Sequence, residues 1–272
     1  MLRQYGIRPH KDLGQSFISS AGALQRILDA AALGGGETVL EVGPGLGALT
    51  LQLCERARRV VAVELDSRLL PPLRTLVSAF PAVELHQGDI LNIEWEQLGI
   101  HGRYCVVANI PYSITSALLR KLLESPAPAE WLVLTVQREV AERVIARRGE
   151  MNLLALSIQL YGTARIHARI PAEAFYPQPE VESAVLRIDL HSSPLVELEL
   201  IRWIFRLARA GFSQKRKKLR NAISAGMGVR PAQAENWLRA AGIVPDLRAQ
   251  AIGLEDWLRL AQIVSKGEKG EA

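Results

Sequence analysis

Asn109-Ile110-Pro111-Tyr112 places an amide side chain, a proline-stiffened run of backbone carbonyls and an aromatic ring within four residues. The amide oxygen and a carbonyl accept hydrogen bonds, and the ring offers a flat face for stacking. Such a loop can hold a planar exocyclic amine by its two hydrogens and its base by the ring. Upstream, Glu41-Val42-Gly43-Pro44-Gly45-Leu46-Gly47 sits between a β-prone run and a helix-prone one. Glycines there let the backbone turn tightly and approach a ligand, while the helix start offers unpaired N–H groups. Glu64, about 20 residues further on, can accept hydrogen bonds from two ribose hydroxyls, and Asp89 can take the amino group of a cofactor's adenine. A cofactor loop followed by an amine-holding loop suggests methyl transfer to a nucleobase nitrogen. No strong base is needed, because the alkylated amine becomes acidic and sheds its proton afterwards. Catalysis would rest on positioning and electrostatics, with Asn109, Pro111 and Tyr112 as the positioning residues. A base inside a helix cannot present its amine in this way, so the target must be unstacked or flipped. Phe175, on a segment stiffened by Pro177 and Pro179, is a candidate second aromatic face.

The glycine loop alone leaves a choice. Gly43-x-Gly45-x-x-Ala48 also satisfies the dinucleotide fingerprint, so a nicotinamide oxidoreductase stays open on this signal. The absence of a second nucleotide-binding half weighs against it, and S-adenosylmethionine suits the pattern better.

The elements that must carry these residues alternate. Helical spacing covers residues 21–33 and stops at Gly34-Gly35-Gly36. Strands are predicted over 38–42, 60–64, from 83 to Gly88-Asp89, over 104–108 and over 131–136, with helices at 48–55, 69–78 and 116–123 between them. This rhythm predicts a doubly wound α/β fold, a Rossmann-like class I methyltransferase domain with a mostly parallel seven-stranded sheet. Residues 165–170 and 184–188 lack a long crossover helix between them and are expected to close the sheet as an antiparallel hairpin. After His191-Ser192-Ser193-Pro194 the chain reads as helical at about 196–210, 215–225, 231–241 and 254–264. The expected organisation is a basic arm (1–20, with Arg3, Arg8, His10 and Lys11), a cofactor-binding domain (21–192), a smaller all-helical domain (195–266) and a disordered tail (267–272).

Net charge is +5, modestly basic and unevenly spread. Arg202, Arg206, Arg209, Lys215, Arg216, Lys217, Lys218 and Arg220 crowd one stretch without an acidic residue. Self-repulsion in such a block favours a polyanionic partner. RNA contacts are expected at Arg209, Lys215, Arg216, Lys217, Lys218 and Arg220. Cys54 and Cys105 lie in apolar segments, the five histidines do not cluster near them, and no metal is expected. No apolar run reaches the roughly 20 residues of a membrane span. The start lacks a signal-peptide core, so a cytoplasmic, monomeric protein is expected.

By these residues the chain resembles the ribosomal RNA adenine N6,N6-dimethyltransferase family. The resemblance runs through Gly14-Gln15-Ser16-Phe17-Ile18, the Glu41–Gly47 loop, Val63-Glu64-Leu65-Asp66, Gly88-Asp89, Asn109-Ile110-Pro111-Tyr112, Gln137-Arg138-Glu139-Val140-Ala141-Glu142-Arg143, Phe175-Tyr176-Pro177-Gln178-Pro179 and the stretch from Phe212 to Asn221. It implies cofactor contacts at Ser16, Ile18, Gly43, Glu64, Asp89 and Asn109, beside the loop residues Glu41, Gly45 and Gly47. It also implies that Phe175 stacks on the target. The family often has Asn or His where this chain has Ser16, and Leu where it has Ile18. The 212–221 block and helical C-terminal region resemble the small-subunit branch, whose substrate is 16S rRNA in a pre-30S particle and whose members serve subunit biogenesis. Ile110 also occurs in the branch that methylates large-subunit 23S rRNA and confers antibiotic resistance. A non-catalytic RNA-binding assembly factor is the alternative of a different class.

Overall fold

The structure, a computed structural model, describes residues 5–10 and 13–268. Arg3 and Lys11 of the expected arm, and residues 269–272 of the expected tail, lie outside the described residues. In chain order the first half reads β1 (Phe17–Ile18), α1 (Ala21–Ala31), β2 (Thr38–Val42), α2 (Ala48–Cys54), β3 (Arg59–Glu64), α3 (Leu70–Val77), β4 (Val83–Gln87), β5 (Tyr104–Asn109), α4 (Thr115–Leu123) and β6 (Trp131–Gln137). There follow α5 (Arg138–Val144), α6 (Leu153–Tyr161), β7 (Gly162–Ile170), β8 (Phe175–Tyr176), β9 (Ser183–Leu190), α7 (Leu198–Ser213), α8 (Leu219–Met227), α9 (Pro231–Ala240) and α10 (Leu254–Glu268). These elements form two compact units. One holds the residues up to 142 together with 163–192, and the other holds 143–162 together with those from 193 onward.

The first unit is built on a seven-stranded sheet of order β4-β3-β2-β5-β6-β9-β7. Strands β4, β3, β2, β5 and β6 are parallel, and β9 runs antiparallel to β6 with Leu134 opposite Leu186. Every residue of β2 is buried, as expected of a parallel strand covered on both faces. Helix α1 begins where the Ser20 side chain accepts a hydrogen bond from the Ala23 N–H at 3.3 Å, replacing a partner that the first turn lacks. It lays Ile27, Leu28 and Ala31 into a core shared with Val107, Val133 and Val185. A separate two-stranded sheet pairs β1 with β8 antiparallel, Phe17 opposite Tyr176 and Ile18 opposite Phe175.

The second unit is all-helical, packed around Leu156, Leu160, Ile204, Leu207, Leu219, Ile223, Leu238, Trp257 and Leu260. Three expectations need correction here. Residues 143–162 belong to this unit and not to the cofactor-binding one. Helix α6 is apolar on nearly all sides (Leu153-Leu154-Ala155-Leu156-Ser157-Ile158-Gln159-Leu160-Tyr161), so it shows no amphipathic period to mark it as a helix. Its start is capped by the Asn152 side chain, which accepts from Leu154 N and Ala155 N. Helix α8 begins at Leu219 instead of 215. Lys218 takes the extended conformation of the residue that precedes a helix (φ −62°, ψ 145°). Finally, α10 continues through Gly267 to Glu268, where a disordered tail was expected.

Candidate active site

Strands β2 and β5 are neighbours although β3 and β4 lie between them in sequence. At this reversal of strand order a crevice opens beyond the carboxyl ends of the strands. A cavity of about 430 Å³ fills it, walled by the glycine loop, by the ends of β2, β3 and β5, by Asp89 and by residues 13–18. Of the residues expected from the sequence, Ser16, Ile18, Glu41, Gly43, Gly45, Glu64, Asp89, Asn109, Pro111 and Tyr112 all line it.

Gly47 and Phe175 do not, and both are corrections. Gly47 starts α2 with φ +83°, and a methyl group there would stand 2.5 Å from Leu76 Cδ2 and 2.8 Å from Leu73 Cδ1. Its glycine serves the turn and the packing on α3. Phe175 is only 3% exposed and belongs to the core with Ile18 and Val185. The cause is strand alternation. Ile18 and Phe175 are cross-strand partners facing the core, so Phe17 and Tyr176 share the opposite face. Tyr176 is 58% exposed and is the free aromatic of this loop.

Glu64 is buried at the end of β3. Its Oε2 accepts from Gly45 N at 3.0 Å and its Oε1 from Asp66 N at 2.8 Å. This carboxylate therefore clamps the glycine loop to β3 and keeps lone pairs for a ligand. Burial pushes its pKa up. Glu41, one strand over, is completely buried, and its Oε2 has no hydrogen-bond partner in the protein. Burial drives its pKa to about 8, and the neighbouring charge of Glu64 adds to the rise. An unpartnered buried carboxyl on a cavity wall is the complement of a ligand's cation or N–H. Across the cavity Asp89 accepts from Leu91 N and from Asn92 Nδ2. Gly45 (φ +58°) lies under the Phe17 ring, which a methyl group at this position would meet at 3.0 Å.

Of residues 13–18, Ser16 and Ile18 were expected at the cavity, while Leu13, Gly14, Gln15 and Phe17 join them in the wall. Gln15 Nε2 donates to Asp66 Oδ2 at 2.8 Å, and Ser16 Oγ donates to Pro177 O at 2.8 Å. Asn109 Nδ2 donates to Ser16 O at 2.9 Å. With its nitrogen so engaged, the acceptor that Asn109 offers the cavity is Oδ1. The Pro111 carbonyl accepts from Ile114 N at 3.2 Å, closing the turn after it. Tyr112 is half-buried, and its hydroxyl lies 2.6 Å from Ser183 Oγ. Leu65, 52% exposed directly after Glu64, and Ile90 after Asp89 add apolar walls. Their only sequence signal was an apolar residue following each strand-end acid.

In the helical unit Arg202, Arg206 and Arg209 form one exposed stripe on α7. Arg206 stacks on Trp203 and Arg209 on Phe205, at 5.0 and 6.0 Å to the ring centroids. Lys215, Arg216 and Lys217 are exposed in the turn after it. Lys218 and Arg220 behave differently. Lys218 pairs with Asp246 at 2.6 Å, and Arg220 with Glu235 and Asp246, each at 3.3 Å. The block of like charge is thus divided by acidic residues distant in sequence. Among the described residues no cluster of metal-ligating side chains occurs, and no helix is long and apolar enough to cross a membrane. The Cys54 and Cys105 thiols are pushed to about 11 and about 12, chiefly by burial.

This arrangement has close counterparts. The profile of the ribosomal RNA adenine dimethylase family matches residues 6–266. The chain belongs to that family. Its relatives include the ribosomal RNA small subunit methyltransferase A of Dehalococcoides mccartyi (strain CBDB1), 43% identical over 96% of this chain and 90% of the relative. The protein of the same name from Moorella thermoacetica is 38% identical over 96% and 94%. Among solved structures, the chain is similar to the 23S rRNA methyltransferase ErmE, with a TM-score of 0.73 and 27% identity over 92% of this chain and 99% of that one. It is also similar to a dimethyladenosine transferase from Plasmodium falciparum, with a TM-score of 0.76 and 25% identity over 93% and 98%. Family membership makes the chain an rRNA adenine dimethyltransferase, and the Rossmann-like sheet is the family's.

Proposed function

We propose that this chain uses S-adenosylmethionine to dimethylate the N6 amines of two adjacent adenosines near the 3′ end of 16S rRNA, acting as a monomer on a pre-30S particle in the cytoplasm. One observation carries the chemistry: Asn109, on the cavity wall, donates through Nδ2 to Ser16 O, which leaves Oδ1 as its free acceptor. Small-subunit specificity draws its support from the relatives in Dehalococcoides and Moorella, which carry that substrate in their names.

The cofactor fits the walls: the buried Glu41 carboxyl, one oxygen of which has no partner in the protein, belongs to the cavity lining, and a glycine loop approaches the cavity without side chains. When bound, S-adenosylmethionine supplies an electrophilic methyl group on a cationic sulfur. Glu64 would accept hydrogen bonds from ribose hydroxyls, Asp89 from the adenine amine, and Leu65 and Ile90 would flank the adenine ring. Gly43, Gly45 and the Ser16–Ile18 segment would close over the remainder. On the target side, Asn109 Oδ1 takes one amine hydrogen. The Ile110 carbonyl is the better second acceptor, since that of Pro111 already serves the turn. Two acceptors in this geometry draw the nitrogen towards a tetrahedral form and aim its lone pair at the cavity. Tyr112 stacks on the base, which must be flipped out to reach it. RNA phosphates would meet Arg202, Arg206, Arg209, Lys215, Arg216 and Lys217, the cations without acidic partners among the described residues.

The likeness to ErmE supports a second reading, methylation of the large subunit. Purified protein with S-adenosylmethionine should be incubated separately with unmethylated small and large subunits, and their nucleosides analysed by mass spectrometry. N6,N6-dimethyladenosine in the small subunit alone is the expected result. Modification confined to the large subunit would overturn the assignment.

A further inference from the structure

Tyr112 stands in a single three-residue turn, Tyr112–Ile114, after Pro111. An element that short does not immobilise a side chain. What holds the ring is at its far end, where the hydroxyl meets Ser183 Oγ at 2.6 Å. Ser183 is wholly buried at the first position of β9, opposite Gln137 of β6. Strand β9 lies inside the sheet, between β6 and β7. One end of the bond is therefore fixed by the interior of the sheet, and the other is the tip of a ring on the cavity wall. Leaving the buried Ser183 hydroxyl unpaired costs the desolvation of a polar group, so the pair favours one arrangement. The tyrosine hydroxyl lies on the axis about which the ring turns, so pinning it fixes the direction of that axis. The ring plane follows more weakly, because a phenol O–H and its lone pair prefer that plane.

We infer that Ser183 is a positioning residue, fixing the direction of the Tyr112 ring axis and so the placement of the ring on which the target adenine stacks. This rests on the proposed reading of Tyr112 as the stacking face. Ser183 also follows the Phe175–Pro179 segment in the chain, so the bond ties the amine-holding loop to the strand that leads out of that segment. Burial raises the pKa of the Tyr112 phenol, and the hydroxyl keeps its proton. Its part is orientation and not proton transfer.

The test uses the full chain with S-adenosylmethionine and unmethylated 30S subunits, comparing wild type, Ser183→Ala, Tyr112→Phe and the double variant. Calorimetry gives cofactor affinity, and melting establishes that each variant is folded. Ser183→Ala should lower kcat about tenfold, the effect of one lost hydrogen bond. KM for the subunit and Kd for the cofactor should stay within about twofold. Tyr112→Phe removes the same bond from the other side and should match it, and the double variant should be no worse than either single one. Ser183→Thr, which keeps the hydroxyl, should recover part of the loss. Unchanged kcat in Ser183→Ala, or additive losses in the double variant, would overturn the inference while leaving the methyltransferase reading intact. A parallel loss of cofactor affinity would also overturn it, by showing a general structural defect. A wild type that methylates neither subunit would remove both.

Discussion

The Asn109 amide donates through Nδ2 to the Ser16 carbonyl at 2.9 Å, joining two cavity-lining residues 93 positions apart in sequence. The bond chooses between two orientations of an amide that differ only in which atom is engaged, and it leaves Oδ1 as the free acceptor. Under the proposed function, one segment both walls the cavity and sets the acceptor for the target amine.

Replacing Asn109 should separate chemistry from binding. Asn109→Ala is expected to lower kcat by on the order of a hundredfold or more, as loss of a preorganised electrostatic partner does. RNA affinity, measured by filter binding, should remain within about threefold. Equal loss of activity and RNA binding would assign Asn109 a structural role.

The ligand-free protein should become less stable as pH rises from about 4.5 to about 8. Glu41 is shifted from 4.5 to about 8, so over that window the folded chain holds a proton that the unfolded chain has released, and stability falls with pH. Glu64 is shifted the same way. Asp66, lowered to about 2 by its hydrogen bonds with Arg68, contributes in the opposite sense, but only in acid below this window. Thermal melting across the window should show the decline, and Glu41→Gln should flatten it. Affinity for the cationic cofactor should rise over the same range, because ionised Glu41 favours a cation. A flat melting curve in the wild type would contradict the burial of an ionisable Glu41.

Charge removal should act differently within the basic block. Neutralising Lys215, Arg216 and Lys217 together is expected to weaken RNA binding and reduce the dependence of log K on log salt by about 0.7–0.9 for each phosphate left without its cation. Lys218→Gln should leave that slope unchanged and change stability little, as loss of an exposed ion pair does. Equal slopes for the two sets would mean that the Asp246 pair does not withhold Lys218 from RNA.

The two aromatics of β8 should also part. Phe175→Ala is expected to destabilise the fold by about 3–5 kcal/mol, the cost of emptying a core site. Tyr176→Ala should leave the melting temperature nearly unchanged. Denaturant titration checks both, and a stable Phe175→Ala protein would show that the ring is not a core residue.

Much of this was legible in the sequence because its carriers are local. Strand-ending acids at Glu64 and Asp89, the glycine loop and Asn109-Ile110-Pro111-Tyr112 follow from short-range chemistry and from the strand–helix rhythm. That rhythm alone predicts a parallel sheet with its ligand site at the carboxyl ends of the strands. What stayed hidden depends on partners far apart in the chain. Phe175 and Tyr176 are neighbouring aromatics whose fates diverge only because β1 pairs with β8 in one register. Lys218 and Lys217 are identical neighbours, and only folding brings Asp246 to one of them. Helix α6 carried no amphipathic pattern, because an all-apolar helix is recognised by what surrounds it. The sequence by itself determined which chemical groups are present and the order of the strands that bear them. The tertiary structure decided which of those groups face the cavity, through the alternation of strands and through hydrogen bonds such as those of Ser16 and Ser183, which no local pattern records.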